Sequence, residues 1–157
     1  MMSESLLVKL QAKSQEIRNY REKLTWRFFQ GSTPEAYETD FDDSSWREVS
    51  LPTLVDARKG DSWLRCEVIV PSDIAGIEVS GSVAKFSSFI ILSGSEIFVN
   101  SRRVLRADYW TELRGPKIVL KEGVTPQERY VIAVHILPYH EPVQIPPFTL
   151  TYSKVED

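Results

Sequence analysis

Cysteine is almost missing from this chain of 157 residues: Cys66 stands alone, so no internal disulfide can form and a disulfide-stapled secreted scaffold is excluded. Histidine is nearly as scarce. Neither His135 nor His140 is spaced from the other, or from Cys66, as zinc ligands are, which argues against zinc catalysis. Apolar runs such as Phe89 to Leu92 are far shorter than the roughly 20 residues a membrane helix needs, so no membrane partner is expected. Positive charge is not in excess either: the formal net charge is −3, which leaves no electrostatic footprint for nucleic acid. There is no Gly-x-Ser-x-Gly elbow, no glycine loop of the phosphate-binding kind, no internal repeat and no low-complexity tract. The opening Met1-Met2-Ser3-Glu4-Ser5 lacks a basic region followed by a long apolar core, so no signal peptide is read and a cytoplasmic location is expected.

What is present suits one globular domain, with 42% hydrophobic and 26% charged residues. From Ser5 to Leu24, Leu6, Leu10, Ile17, Tyr20 and Leu24 recur at spacings that bring them onto one face of an amphipathic helix, with charged residues on the other. The polar break at Lys13-Ser14 argues against a long coiled coil, so this helix is expected to pack on its own domain or on a neighbour. After Pro34 the pattern changes to short β-branched and aromatic runs, separated by Gly, Pro, Asp and Ser about every ten residues, as in an all-β sandwich or barrel.

Trp63 to Val70 alternates, with Leu64, Cys66, Val68 and Val70 on one face and Trp63, Arg65, Glu67 and Ile69 on the other. Ile77 to Ser80 reads as the next strand and Phe86 to Leu92 as a central one. A tight turn at Ser93-Gly94-Ser95 would pair the latter with Ile97 to Val99, and Asn100-Ser101 would turn the chain again before Val104-Leu105. Lys117 to Leu120, Tyr130 to Leu137 and Phe148 to Tyr152 complete the strands. Pro138, Pro142, Pro146 and Pro147 are expected to keep the segment between the last two out of any sheet.

Chemistry is harder to find. Asp40, Asp42 and Asp43 form the densest acidic group; they fit turn caps that bond nearby backbone N–H groups, with a structural calcium as the rival reading. Cys66 lies on the apolar face of its strand and reads as a small buried hydrophobe. His135 alternates with Ala133 and Leu137 and reads as a strand histidine, satisfied or half-exposed, rather than a general base. Arg102, Arg103 and Arg106 read either as a solvated hairpin tip or as a site for an anion. Tyr109 and Trp110, flanked by Arg106, Asp108 and Glu112, have the composition of a sugar contact, in which rings stack on the sugar face and polar groups hold the hydroxyls. Their other reading is packing in the core or against a neighbouring domain, as is also expected for Trp46 and Trp63.

The order of four motifs resembles the N-terminal sugar-binding-like β-sandwich of family-two glycosidases, the β-galactosidase and β-glucuronidase group, and the jelly-roll domain that precedes the catalytic barrel in many α-mannosidases. The motifs are Asp42 to Trp46 with Val49 and Leu51-Pro52, Trp63-Leu64-Arg65 through Val70-Pro71, Ile97-Phe98-Val99-Asn100, and Val131 to Ile136, which together span most of residues 37 to 137. Ser101 stands where the family's strand usually has glycine, and the helix before Leu24 fits the α-mannosidase architecture better. The resemblance implies a galactose-binding-domain-like jelly-roll sandwich over residues 31 to 157, with a helical lead-in over residues 1 to 30. It further implies an accessory domain with no catalytic residue and no required cofactor, whose partner is the catalytic domain of a parent hydrolase, an α-mannosidase-like parent being favoured. The alternatives are a stand-alone carbohydrate-binding module using Arg106, Asp108, Tyr109 and Trp110, and an adaptor that docks through the helix.

Overall fold

In a computed structural model the protein is described over residues 24–88, 90–91, 94–107, 113–114 and 117–153. Fifteen strands follow in chain order among these residues: β1 (Trp26–Gln30), β2 (Arg47–Val49), β3 (Thr53–Val55), β4 (Ser62–Ile69), β5 (Asp73–Ile74), β6 (Ile77–Glu78), β7 (Val83–Ser88), β8 (Ile90–Ile91), β9 (Ser95–Val99), β10 (Arg102–Ala107), β11 (Leu113–Arg114), β12 (Lys117–Lys121), β13 (Arg129–Ile136), β14 (Val143–Ile145) and β15 (Phe148–Ser153). All pairings are antiparallel. A six-stranded sheet in the order β10-β9-β13-β4-β1-β2 faces a three-stranded sheet in the order β12-β7-β15, and the remaining described strands pair as the ribbons β11-β8, β14-β3 and β5-β6. This is an all-β sandwich, one of the two architectures expected from the strand pattern and the one implied by the resemblance.

The core follows from the alternation. Leu64, Cys66, Val68 and Val70 point inward with Ile97, Ile132, Val134 and Ile136, and meet Ala84, Phe86, Phe148, Leu150 and Tyr152 of the small sheet. Trp26 bridges the layers, with its ring centroid 6.2 Å from that of Phe86 and 5.3 Å from that of Phe148, while Phe86 and Phe148 stack at 5.0 Å. Each such side chain taken from water contributes about 1.5–3 kcal/mol.

Several expectations need correction. Trp26–Gln30 is a strand held between β2 and β4, so the sandwich begins before residue 31 and these residues are not part of a helical lead-in. Residues 5–23 of the expected helix lie outside the described residues. Ile97 to Val99 does not pair with the strand around Phe86: β9 lies between β10 and β13 in the other sheet, and the chain changes layer between β7 and β9. A run of apolar residues broken by Ser93-Gly94-Ser95 looks like a hairpin because sequence distance does not reveal such a crossing. Ile77 to Ser80 shrinks to a two-residue rung with β5. Val143–Ile145 is a strand despite its prolines, pairing with β3 in a two-stranded ribbon; Pro142 and Pro146 bound it, where no ladder N–H is required. No described helix is long and apolar enough to cross a membrane.

Candidate functional site

The outward-facing residues of the six-stranded sheet align in rows. Strand register places Phe29 beside Trp63, Trp63 beside His135, His135 beside Glu96, and Glu96 beside Arg106, so one row crosses β1, β4, β13, β9 and β10. The next row runs Arg27, Arg65, Ala133, Phe98, Arg103.

The middle of the second row, Arg65, Ala133 and Phe98, is covered by the chain itself. The 3-10 turn Pro34–Tyr37 and the loop that follows lie over it, and Ala36, Trp46, Trp63 and Ala133 form a second buried cluster with Tyr37, Phe41 and Phe98. Ala133 and Ala36 are both fully buried, and their lack of bulk lets the covering segment approach the sheet. Phe41 and Phe29 both meet Trp46, at 5.4 Å each. Underneath, Arg65 is only 2% exposed. Its guanidinium donates to the carbonyls of Ala36 at 2.5 Å, Glu38 at 2.9 Å and Phe41 at 3.2 Å, and to Asp43 Oδ2 at 2.9 Å. A buried arginine needs this many acceptors, since a desolvated charge left short of partners costs several kcal/mol. Asp43 also receives a bond at its carbonyl from Arg27 at 3.1 Å, which eases the repulsion between Arg27 and Arg65 on adjacent strands. A polar cavity of about 310 Å³ opens beside the clamp, lined by Thr25, Arg27, Asp43, Ser44, Glu48, Arg65 and Glu67.

The first row carries the polar part of the site. His135 stacks on Trp63 with centroids 4.3 Å apart and an angle of 9°. Its Nδ1 lies 3.0 Å from Glu96 Oε1 and its Nε2 2.9 Å from Asp61 Oδ1. A neutral imidazole donates to one of these carboxylates; the imidazolium donates to both. Glu96 also accepts from Arg103 at 3.0 Å. Burial pushes the Glu96 carboxyl up, but the bonds from His135 and Arg103 outweigh it and hold the group below its ordinary range. Both carboxylates are thus engaged by cations or potential cations, unlike a glycosidase pair, in which one group acts on the leaving oxygen and the other on the sugar or a water. The arrangement is built to hold a surface in shape and offers hydrogen-bonding edges around an aromatic stack.

Of the sequence-predicted site residues, Arg106 is exposed on β10 at the end of this row. Asp108, Tyr109 and Trp110 lie outside the described residues. Cys66 is buried on the apolar face, and Trp46 and Trp63 pack, as expected. Asp42 caps its turn by accepting from the Ser44 N–H at 3.0 Å. Asp43, grouped with it, holds the Arg65 clamp instead, and a carboxylate committed to a buried guanidinium is a poor ligand for calcium. No group of three or more His, Cys, Asp and Glu among the described residues is placed to hold a metal. The Asn100-Ser101 turn forms with φ of 46° and 71°, the two positive values of a type I′ hairpin. Ser101 adds what glycine cannot: its Oγ accepts from the Thr39 N–H at 2.7 Å and lies 2.8 Å from Thr39 Oγ1, tying the hairpin to the covering loop. Sequence reasoning missed the roles of Arg65 and of Asp61 with His135. Nothing in the sequence set Arg65 apart from Glu67, the other charge on the same outward face of that strand.

No protein-family model matches the chain, and no curated protein matches it in sequence. Solved structures do. A glycosyl hydrolase family 2 member from Bacteroides cellulosilyticus is 19% identical with a TM-score of 0.66, covering 86% of this chain and 20% of its own. Bacteroides uniformis β-glucuronidase gives 17%, 0.65, 86% and 18%, and a β-glycosidase from Bacteroides vulgatus gives 17%, 0.64, 85% and 20%. The chain therefore spans about a fifth of the length of these proteins. At such identities the likeness is one of fold: nearly the whole described sandwich has a counterpart within a small part of much longer glycoside hydrolase chains.

Proposed function

We propose that this chain is a non-catalytic accessory sandwich of a glycoside hydrolase of the family 2 type, acting on the shape of the substrate site and packing against a catalytic domain. The observation that carries the reading is the asymmetry of the match, 86% of this chain against 20% of the hydrolase. The polar row supports it, because its carboxylates are tied up in the fold and leave no acid and nucleophile pair. The sequence leaned to an α-mannosidase-like parent. Of the neighbours above, one is a β-glucuronidase and one a β-glycosidase, so a β-glycosidase parent is the reading adopted here.

A carbohydrate contact by the sandwich itself is the second reading, favoured by one observation: Arg106 extends the row of Phe29, Trp63, His135 and Glu96, two to four residues before Asp108, Tyr109 and Trp110. The test is to read the coding frame around residues 1–157 and to assay both this chain and the complete product on nitrophenyl β-glucuronide, β-galactoside and α-mannoside. The expected result is an inert isolated chain and a complete product that cleaves a β-glycoside. Cleavage of the α-mannoside restores the other parent. Hydrolysis by the isolated chain, or a frame that encodes no hydrolase, overturns the proposal.

A further inference from the structure

The outer face of the three-stranded sheet has a different chemistry from the rest of this acidic chain. Its register sets Lys117, Ser87 and Thr149 side by side in one row, and Val119, Lys85 and Thr151 in the next. All of these but Val119, together with Tyr152 and Ser153, line a cavity of about 290 Å³. Among the described residues no carboxylate lines it, although the chain as a whole carries a net charge of −3. Lys85 and Lys117 flank Ser87, one along its strand and one across from it, which puts their Cβ atoms within about 7–8 Å of each other. The hydroxyls are arranged as a patch: Ser87 Oγ and Thr149 Oγ1 lie 3.0 Å apart, so each keeps capacity for a further bond.

We infer that this cleft binds a small polyhydroxylated anion, a sugar acid or a sugar phosphate. The lysine pair takes the carboxylate or phosphate, and Ser87, Thr149, Thr151 and Ser153 take the polyol. Charge complementarity is the argument for the anion, since two ammonium groups on a lining that holds no acid among the described residues favour negative charge in the space between them. The hydroxyls are the argument for the polyol, because Ser87 and Thr149 meet across the strands and Thr151 and Ser153 follow Thr149 at alternate positions of β15, on one face of the sheet. A bare acidic protein surface would use the lysines and leave the hydroxyls idle. The inference does not depend on a hydrolase parent.

Amide chemical shifts of the full chain, followed during titration with galacturonate, glucose 6-phosphate, inorganic phosphate and glucose, test it. The expected result is saturable movement at Lys85, Ser87, Lys117 and Thr149 with one or both sugar anions, and none with glucose. The two anions separate a carboxylate site from a phosphate site. The double variant K85Q/K117Q should weaken binding about tenfold, in the range for losing charge-assisted hydrogen bonds at a surface. R102Q, on the hairpin tip of the other sheet, should leave it unchanged. Equal binding of glucose, equal binding of bare phosphate, no saturable response to either sugar anion, or weakening by R102Q as large as that by K85Q/K117Q would each overturn the assignment.

Discussion

The two outer faces of the sandwich are written in the same alternating code and end up in opposite states. On the six-stranded sheet the outward row of Arg65, Ala133 and Phe98 is sealed by the chain's own loop, with a buried guanidinium as the fastener. On the three-stranded sheet Lys117 and Val119 stay exposed and the polar residues line an open cavity. The difference lies in what each row offers its cover. Alanine at 133 leaves room and Arg65 supplies donors for carbonyls that would otherwise be buried without partners, whereas the lysine and hydroxyl rows are content with water. Stability is therefore invested in one face, and the other is left available for binding.

The largest way to break this contrast is R65A. Removing the guanidinium takes the donor from the carbonyls of Ala36 and Phe41 and the nearer cation from Asp43, while Glu38 keeps the Phe41 N–H, so a loss of about 3–5 kcal/mol is expected from urea unfolding. A loss below about 1 kcal/mol would make Arg65 no more than a surface pair. A133L leaves the clamp intact and removes the room above it; it should cost about 1–3 kcal/mol and expose residues 34–43 to limited proteolysis. Unchanged protease resistance would show that the cover does not depend on that space.

Acid should loosen the sealed face. The folded value of the Glu96 carboxyl lies below its ordinary 4.5, so its contribution is present above about that pH and is lost as pH falls through the folded value. E96Q should flatten the acid limb of the stability profile, by about 1 kcal/mol, relative to the wild type, while K85Q/K117Q should leave it as it is. Ser101 gives a smaller test. S101A keeps a positive φ and loses the tie to Thr39, so it should cost about 1 kcal/mol; S101G loses the tie but relieves the backbone, and should fall within about 0.5 kcal/mol of wild type.

Much of the framework was legible because period-two alternation is a local signal. Leu64, Cys66, Val68 and Val70 announced an inward face, Trp46 and Trp63 announced packing, and Asn100-Ser101 announced its hairpin. Pairings between distant strands were not legible. Nothing near Ser93-Gly94-Ser95 reveals that the chain changes sheets, and the residues around Trp26 extend a helical pattern even though tertiary contacts make them a strand. The site was harder still: Asp61, Glu96 and His135 are far apart in sequence and meet only through register. Arg65 looked like an ordinary outward charge until Ala36, Glu38, Phe41 and Asp43 were placed over it.

Trp26 has a further consequence. Its ring joins the first described strand to Phe148 of the last, 5.3 Å away. During synthesis the core therefore cannot close until residue 148 has been added. At about 5–20 residues per second, the interval between the two rings is on the order of 6–25 seconds. For that time a nascent chain carries an unfinished apolar layer, so early termination before β15 should yield a product for chaperones and proteases instead of a smaller sandwich.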